Sequence, residues 1–256
     1  MLLPFHNQAA ALTGIVDNWL RVLDKLGRSF QFILIDDGSI DGGGELAARN
    51  RRVVLLRHEQ CQGTGAAWRT GLAAVEHPLV LVTACDYPYS PADIKKLLEA
   101  IDSADIACGC RTDPMPPALR TASQVYRTAA RVLFGLPLEP RPSWQGWRAW
   151  WKSTRDRWKY GVHVLDAGCA YKLVRKSMLD RIVIQSDGEF AHTELLAKAN
   201  FLGALIAEVP IGKLGGTFKG VQQAQESSES ADRRMVFRRP EFAAVGVSVA
   251  DQPPLS

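Results

Sequence analysis

Nothing in this chain reads as a membrane span or an export signal. No apolar run among its 256 residues approaches the roughly 18 needed to cross a bilayer, and no leader of basic, apolar and small residues opens it. The expectation is a cytoplasmic protein, or one peripheral on the inner face of a membrane. Cysteine is scarce too. The five present (Cys61, Cys85, Cys108, Cys110 and Cys169) form no Cys-x-x-Cys pair, and an odd number without an export signal argues for reduced thiols. Cys108 and Cys110 flank Gly109 at the end of an apolar stretch, where cysteine serves as a small hydrophobe. The first strand also looks short, because Met1-Leu2-Leu3 precedes Pro4 whereas strands usually run about 5 to 6 residues. A start upstream of Met1, or a weakened sheet edge, is the corresponding expectation.

What the chain does have is acid at the tips of apolar strands. Phe32, Ile33, Leu34 and Ile35 run directly into Asp36, Asp37, Gly38, Ser39 and Asp41. A continuous apolar run is the mark of a parallel strand buried on both faces, and ligands in open α/β sheets bind outside the carboxyl ends of such strands. The same residues would also serve as a plain turn leading into a helix N-cap. A short helix over Glu45 to Asn50 and a strand over Val53 to Leu56 follow, then a glycine-rich turn, Gly63-Thr64-Gly65-Ala66-Ala67. A third apolar run, Leu79 to Thr83, ends near Asp86.

Leu12, Ile15, Val16, Trp19, Leu20, Leu23 and Leu26 recur at helical spacing and Gly27 supplies a stop. Further helices are expected at about 64–76, 91–102, 117–134 and 187–202, with strands near 105–109 and 205–209. The segment from Val221 onward is rich in Gln, Ser, Glu and Pro without periodicity, and is expected to be disordered. With 46% hydrophobic residues, one core in one domain over 1–220 is the economical reading.

In order along the chain stand Pro4-Phe5-His6-Asn7, Asp36-Asp37-Gly38-Ser39-Ile40-Asp41, Gly63-Thr64-Gly65-Ala66-Ala67, the Asp86 turn, Gly109-Cys110-Arg111, and Asp166-Ala167-Gly168-Cys169 followed by Lys172 and Arg175. This series resembles glycosyltransferase family 2, inverting enzymes of GT-A fold, and within it the polyprenyl-phosphate sugar synthases of the dolichol-phosphate mannose synthase kind. The resemblance covers about residues 1–212. It implies an α/β fold: a GT-A type, Rossmann-like, mostly parallel sheet flanked by helices. It implies a nucleotide-sugar donor, with Mg²⁺ or Mn²⁺ at the Asp-x-Asp turn. Residue by residue, Pro4, Asn7, Asp36, Asp37 and Gly63 become nucleotide-binding candidates, and Asp86 becomes the metal ligand and a catalytic candidate. Arg111 and Arg120 become the contacts of a phosphate acceptor, their planar forks suiting phosphate oxygens.

The chain departs from that pattern after the Glu-Val-Pro strand, where Ile211-Gly212-Lys213-Leu214-Gly215-Gly216-Thr217-Phe218-Lys219 lacks the His and Arg that many relatives carry, and at the Asp-x-Asp turn. Ala84 stands where the first Asp of Asp-x-Asp is expected, and Pro88 where a Gln often follows. A single protein carboxylate would leave a divalent cation to the donor's phosphates and to water, which Mg²⁺ accepts readily. A family member that binds without turnover therefore stays open. A nucleotidyltransferase is disfavoured, because its glycine-rich phosphate loop should follow the first strand, where this chain has His6-Asn7-Gln8-Ala9.

Charge points to the acceptor. Between Arg111 and Tyr160 ten basic residues face only Asp113, Glu139 and Asp156, a local net of +7; the whole chain carries +4, so the remainder carries −3. Trp144, Trp147, Trp150, Trp151 and Trp158 lie in the same stretch, five of the chain's seven tryptophans. Aromatic and basic residues together favour an anionic membrane interface. Residues 117–160 thus read as a basic, Trp-rich helical insertion presenting a polyprenyl phosphate or other membrane-associated acceptor, with a buried aromatic stripe or a dimer contact as the rival. No nucleic-acid recognition motif accompanies the charge. A phosphate acceptor arrives ionised and needs no base, whereas a hydroxyl acceptor would need one, from Asp166, Glu189 or Glu194. The sequence leaves sugar, nucleotide and oligomeric state open.

Overall fold

The computed structural model describes residues 1–85, 89–111, 166–212, 232, 235, 236 and 238–243. In chain order the elements are β1 (Leu2–Phe5), α1 (Ala9–Asp24), β2 (Ile33–Asp36), α2 (Gly43–Ala48), β3 (Val54–Arg57), α3 (Thr64–Ala73), β4 (Leu79–Val82), α4 (Ile94–Ala100), β5 (Ile106–Arg111), β6 (Lys172–Arg175), α5 (Lys176–Leu179), α6 (Ala191–Phe201) and β7 (Ile206–Ile211). Among the described residues seven strands form one sheet in the order β3-β2-β1-β4-β6-β5-β7. Every pairing is parallel except those of β6, which runs antiparallel to β4 and β5.

Period-two alternation divides the strand side chains between two apolar layers. Leu3, Phe5, Leu34 and Leu81 join the layer with Leu12, Val16, Trp19 and Leu20 of α1 and Leu97 of α4. Leu2, Ile33, Ile35, Val80 and Val82 join the opposite layer with Ala67 and Trp68 of α3 and Leu195 and Leu196 of α6. Because the sheet is covered on both faces, its central strands read as unbroken apolar runs. Each fully buried Leu or Ile contributes about 1.5–3 kcal/mol.

The expected mostly parallel sheet with flanking helices is what the chain forms, and several element bounds shift. Gly27 ends the first helix region at φ +63°, as its position predicts. The helix expected at 91–102 is a 3₁₀ turn at Pro91–Asp93, then α4, then a second 3₁₀ turn at Ile101–Ser103. The helix expected at 187–202 begins only at Ala191, because residues 187–190 form a turn. The first strand is not clipped relative to its neighbours. Pro4 and Phe5 continue it, and its four residues match the four of β2, β3 and β4.

The tail expected to be disordered from Val221 has described residues that are docked. Val236 is buried, Phe242 bridges Ile182 and stacks on Phe201 at 5.4 Å, and Asp232 accepts a hydrogen bond from the Gly188 N–H. Short apolar anchors spaced among polar residues leave no periodic signal. The 117–160 insertion lies outside the described residues.

Candidate donor site at the sheet switch point

The chain leaves β1 toward β2 on one side and returns to β4 on the other, so the strand order reverses at the β1/β4 boundary. Crevices at such a reversal, outside the carboxyl ends, are where open α/β sheets bind ligands. Pro4 belongs to β1, while Asn7, Asp37 and the turn Thr83-Ala84-Cys85 follow β1, β2 and β4 directly. All therefore lie along that edge.

Hydrogen bonds knit the first of these turns into one rim. Asn7, in the left-handed region at φ 53°, donates its N–H to the Ser39 hydroxyl at 3.0 Å and accepts the Ile40 N–H on Oδ1 at 2.9 Å. His6 Nδ1 lies 2.7 Å from the Asp37 carbonyl. Asp41 caps two helices at once, accepting the N–H of Ala9 at 2.7 Å and of Gly43 at 3.0 Å. The Ala9 N–H is the main reason its carboxyl is held below the usual range.

Asp36 and Asp37, read as nucleotide contacts, are occupied internally. Asp36 is fully buried; its Oδ1 accepts the Ser39 N–H at 2.8 Å, and Arg57 Nε stands 3.1 Å from Oδ2 as an ion pair without an aligned hydrogen bond. Asp37 Oδ1 lies 2.7 Å from His58 Nδ1 and accepts the Gln62 N–H at 2.9 Å. Its Oδ2 accepts the Gly63 N–H at 2.8 Å and the Cys61 thiol at 3.2 Å. Four partners match the roughly four lone-pair sites of a carboxylate. Burial pushes Asp37 up, yet the Gln62, His58, Gly63 and Cys61 donors outweigh it and hold its pKa below the usual value. In this arrangement Asp37 pins the Cys61–Gly63 loop to the end of β2.

Gly63 and Gly65 allow a close approach rather than an open phosphate cradle. Gly63 sits at φ +99°, and a Cβ there would lie 2.5 Å from the Asp187 carbonyl oxygen; one on Gly65 would lie 2.0 Å from that of Ser186. The Gly65 N–H donates to the Asp187 carbonyl at 2.7 Å. Arg69 clasps the same loop through the Ser186 carbonyl at 3.0 Å and the Asp187 carboxylate.

Of the carboxylates held as bases for a hydroxyl acceptor, Glu194 is fully buried and committed. It accepts the N–H groups of Gln185 and Ser186, the Ser186 hydroxyl and Lys198 Nζ. Glu189 is different: its side chain is 51% exposed, Thr64 of the glycine-rich turn donates to it, and His192 lies 3.5 Å away. Burial pushes it up, but His192, Thr64 and the charge of Lys172 bring it down to about 2. Asp166 opens the turn before Cys169, whose N–H donates to the Asp166 carbonyl at 3.1 Å. The Ala170 N–H donates to the Tyr89 hydroxyl at 3.2 Å, and Tyr89 stacks on Tyr171 at 5.4 Å. The Asp166 loop and the chain leaving β4 are thereby tied together.

Asp86 and Arg120 lie outside the described residues; Arg111 ends β5 on the same sheet edge. Among the described residues no group of three or more His, Cys, Asp or Glu could hold a metal ion, and Asp36, Asp37 and Asp41 are already engaged, so the described side chains do not make a site for the implied Mg²⁺ or Mn²⁺. Sequence reasoning assigned no role to His58, and placed Lys172 only as the basic residue that follows the Asp166 motif. His58 follows β3 as Asp37 follows β2, and that position alone would have suggested it.

Solved structures share this architecture. Glucosyl-3-phosphoglycerate synthase from Mycobacterium tuberculosis, solved in complex with UDP, superposes with a TM-score of 0.63 at 17% identity, covering 93% of this chain and 78% of that one. Among curated proteins, an undecaprenyl-phosphate 4-deoxy-4-formamido-L-arabinose transferase of Aeromonas hydrophila is 26% identical over 189 residues, 72% of this chain and 50% of the relative. The polyprenol monophosphomannose synthase of Mycolicibacterium smegmatis is 25% identical over 229 residues, 82% of this chain and 75% of the relative. An undecaprenyl-phosphate mannosyltransferase of Micrococcus luteus is 26% identical over 221 residues, 82% and 81% of the two chains. The chain thus spans about half the length of the Aeromonas transferase and most of the two mannosyl enzymes. Residues 1–183 match glycosyl transferase family 2, and the chain belongs to that family.

Proposed function

We propose that this protein is an inverting glycosyltransferase that moves a sugar from a nucleotide-sugar donor to a polyprenyl phosphate or another membrane-associated acceptor. The observation that carries the reading is the reversal of strand order at β1/β4, with the Asn7, Asp37 and Ala84 turns gathered at that edge in a chain of this family. Its relatives are named as transferases to undecaprenyl or polyprenyl phosphate, and a solved structure sharing the fold carries Mn²⁺ and UDP.

The carboxylates favour an acceptor that arrives ionised. Glu194 is saturated with donors, and Glu189 is engaged by the Thr64 hydroxyl, with His192 3.5 Å away. A phosphate oxygen needs only placement and charge compensation. Arg111 and Arg120 are the proposed contacts of that phosphate, and Asp166 the base should the acceptor prove to be a hydroxyl. Asp86 is the proposed contact of a donor-bound Mg²⁺ or Mn²⁺, and no step here depends on it. Non-catalytic binding of a nucleotide sugar is the second reading, favoured by Ala84 at the turn after β4. Incubation with nucleotide sugars and undecaprenyl phosphate separates the two: lipid-linked sugar with release of nucleoside diphosphate supports transfer, and donor binding without product supports the second.

No described helix is long and apolar enough to cross a membrane; the basic, Trp-rich residues 117–160 are the proposed contact with a lipid acceptor. The protein should float with vesicles containing anionic lipid at low salt and detach as salt rises beyond physiological strength. Absence from the vesicle fraction at low salt would contradict a membrane role for the insertion.

A further inference from the structure

Among the described residues two lysines are buried, and they are treated differently. Lys198 in α6 is 3% exposed, and its ammonium meets the Val183 carbonyl at 2.6 Å, Gln185 Oε1 at 2.7 Å and Glu194 Oε1 at 2.7 Å. All three of its N–H groups and its charge are matched. Lys172 is 0% exposed, yet among the described residues it donates only to the Cys169 carbonyl and has no carboxylate within ion-pair distance. A buried ammonium costs several kcal/mol unless an anion faces it.

Its position shows where that anion would come from. Lys172 opens β6, paired with Val82, the last residue of β4, and with Cys108 of β5. It therefore lies at the carboxyl end of β4, the strand that leads to the Asp86 turn, and beside the middle of β5, three residues before Arg111. Glu189, on the neighbouring turn, feels its charge without pairing with it. In a low-dielectric interior such a charge acts over distances at which water would screen it.

We propose that Lys172 is a charge-compensating residue of the substrate site, its ammonium held in reserve for a phosphate group that settles on the β4/β5 edge. The inference rests on the donor-site reading above and adds a residue to it. Two sources of that phosphate chemistry fit, the diphosphate of the donor and the monoester of a lipid acceptor. Lys172 is a positioning residue here, buried beneath the ligand rather than touching the reacting atoms.

The test is thermal unfolding of wild type, Lys172→Met and Lys172→Gln, ligand-free and with UDP, uridine or a short-chain polyprenyl phosphate, with circular dichroism as the check on folding. Removing a buried charge that no described carboxylate pairs should raise the ligand-free Tm of Lys172→Met by about 2–4 °C, whereas Lys198→Met should lower it. UDP binding should weaken on the order of tenfold or more in both Lys172 variants, while any binding of neutral uridine persists. Loss confined to the polyprenyl phosphate would assign the charge to the acceptor. A lowered Tm or failure to fold in both Lys172 variants, or phosphate ligands bound as tightly as by wild type, would overturn the inference. Wild type that responds to no phosphate ligand would overturn it together with the donor-site reading; retained binding in the variants overturns this inference alone.

Discussion

Asp37→Ala should lower stability by about 2–4 kcal/mol and abolish nucleotide-sugar binding. His58 Nδ1, the Gln62 and Gly63 N–H groups and the Cys61 thiol all converge on this carboxylate, which is 5% exposed. Its removal strands the buried His58 donor, at about 1–3 kcal/mol, and unties the part-buried Gln62, Gly63 and Cys61 donors, which water reaches at lower cost. For a chain of this size that is a Tm fall of about 5–15 °C. The binding loss follows because the Cys61–Gly63 loop leads into α3, where Gly63 and Gly65 pack against the Asp187 and Ser186 carbonyls. Protonation should imitate the mutation. The folded pKa of Asp37 is lowered, so its contribution is present above the unfolded carboxylate value, about 3.9, and is lost as pH falls through the folded one. Chemical denaturation from pH 7 to 3 should show an acid limb that is shallower in Asp37→Asn. An unchanged limb and wild-type stability would contradict the anchoring role.

The second large effect is expected at Glu194 and Lys198, an ion pair at 2.7 Å with side chains 0% and 3% exposed. Either Glu194→Leu or Lys198→Met alone leaves a buried charge without its partner and should cost about 3–5 kcal/mol. The double substitution should cost clearly less than the two singles together, because no charge then remains. Urea unfolding of the four proteins measures the coupling directly, and strict additivity would show that the pair is not energetically linked. The consequence reaches the site, since Glu194 holds the Gln185 and Ser186 N–H groups and thereby the loop that packs on Gly65.

Those two networks mark the boundary of what the sequence made legible. The sheet was readable because β1, β2 and β4 are apolar on both faces and end in turn residues. The helices α1 and α3 followed from Leu12, Val16, Trp19 and Leu20 at helical spacing and from the glycine-rich turn. Strand β6 was not read as a strand, because Lys172-Leu173-Val174-Arg175 offers only two apolar residues between charges; its antiparallel partners, β4 and β5, are remote in sequence and decide the matter. At the site, residue type and placement at strand ends were visible, and the division of labour was not. Asp36, Asp37, Asp41 and Glu194 look interchangeable with ligand-binding carboxylates on paper. Partners more than twenty residues away for the aspartates, Arg57, Gln62 and Ala9, and the buried i,i+4 ammonium of Lys198 for Glu194, engage those oxygens within the fold. Lys172 is the converse, a motif lysine in sequence whose burial, with no carboxylate at ion-pair distance among the described residues, appears only in three dimensions.

The account turns on a donor site at the β1/β4 edge, and calorimetric titration of UDP-, GDP- and dTDP-sugars into wild type and Asp86→Ala, with Mg²⁺, Mn²⁺ or EDTA, tests it most directly. It predicts that one donor class binds wild type, that the divalent cation strengthens binding, and that Asp86→Ala weakens it on the order of tenfold or more. Heat of binding for no donor under any of these conditions would contradict it.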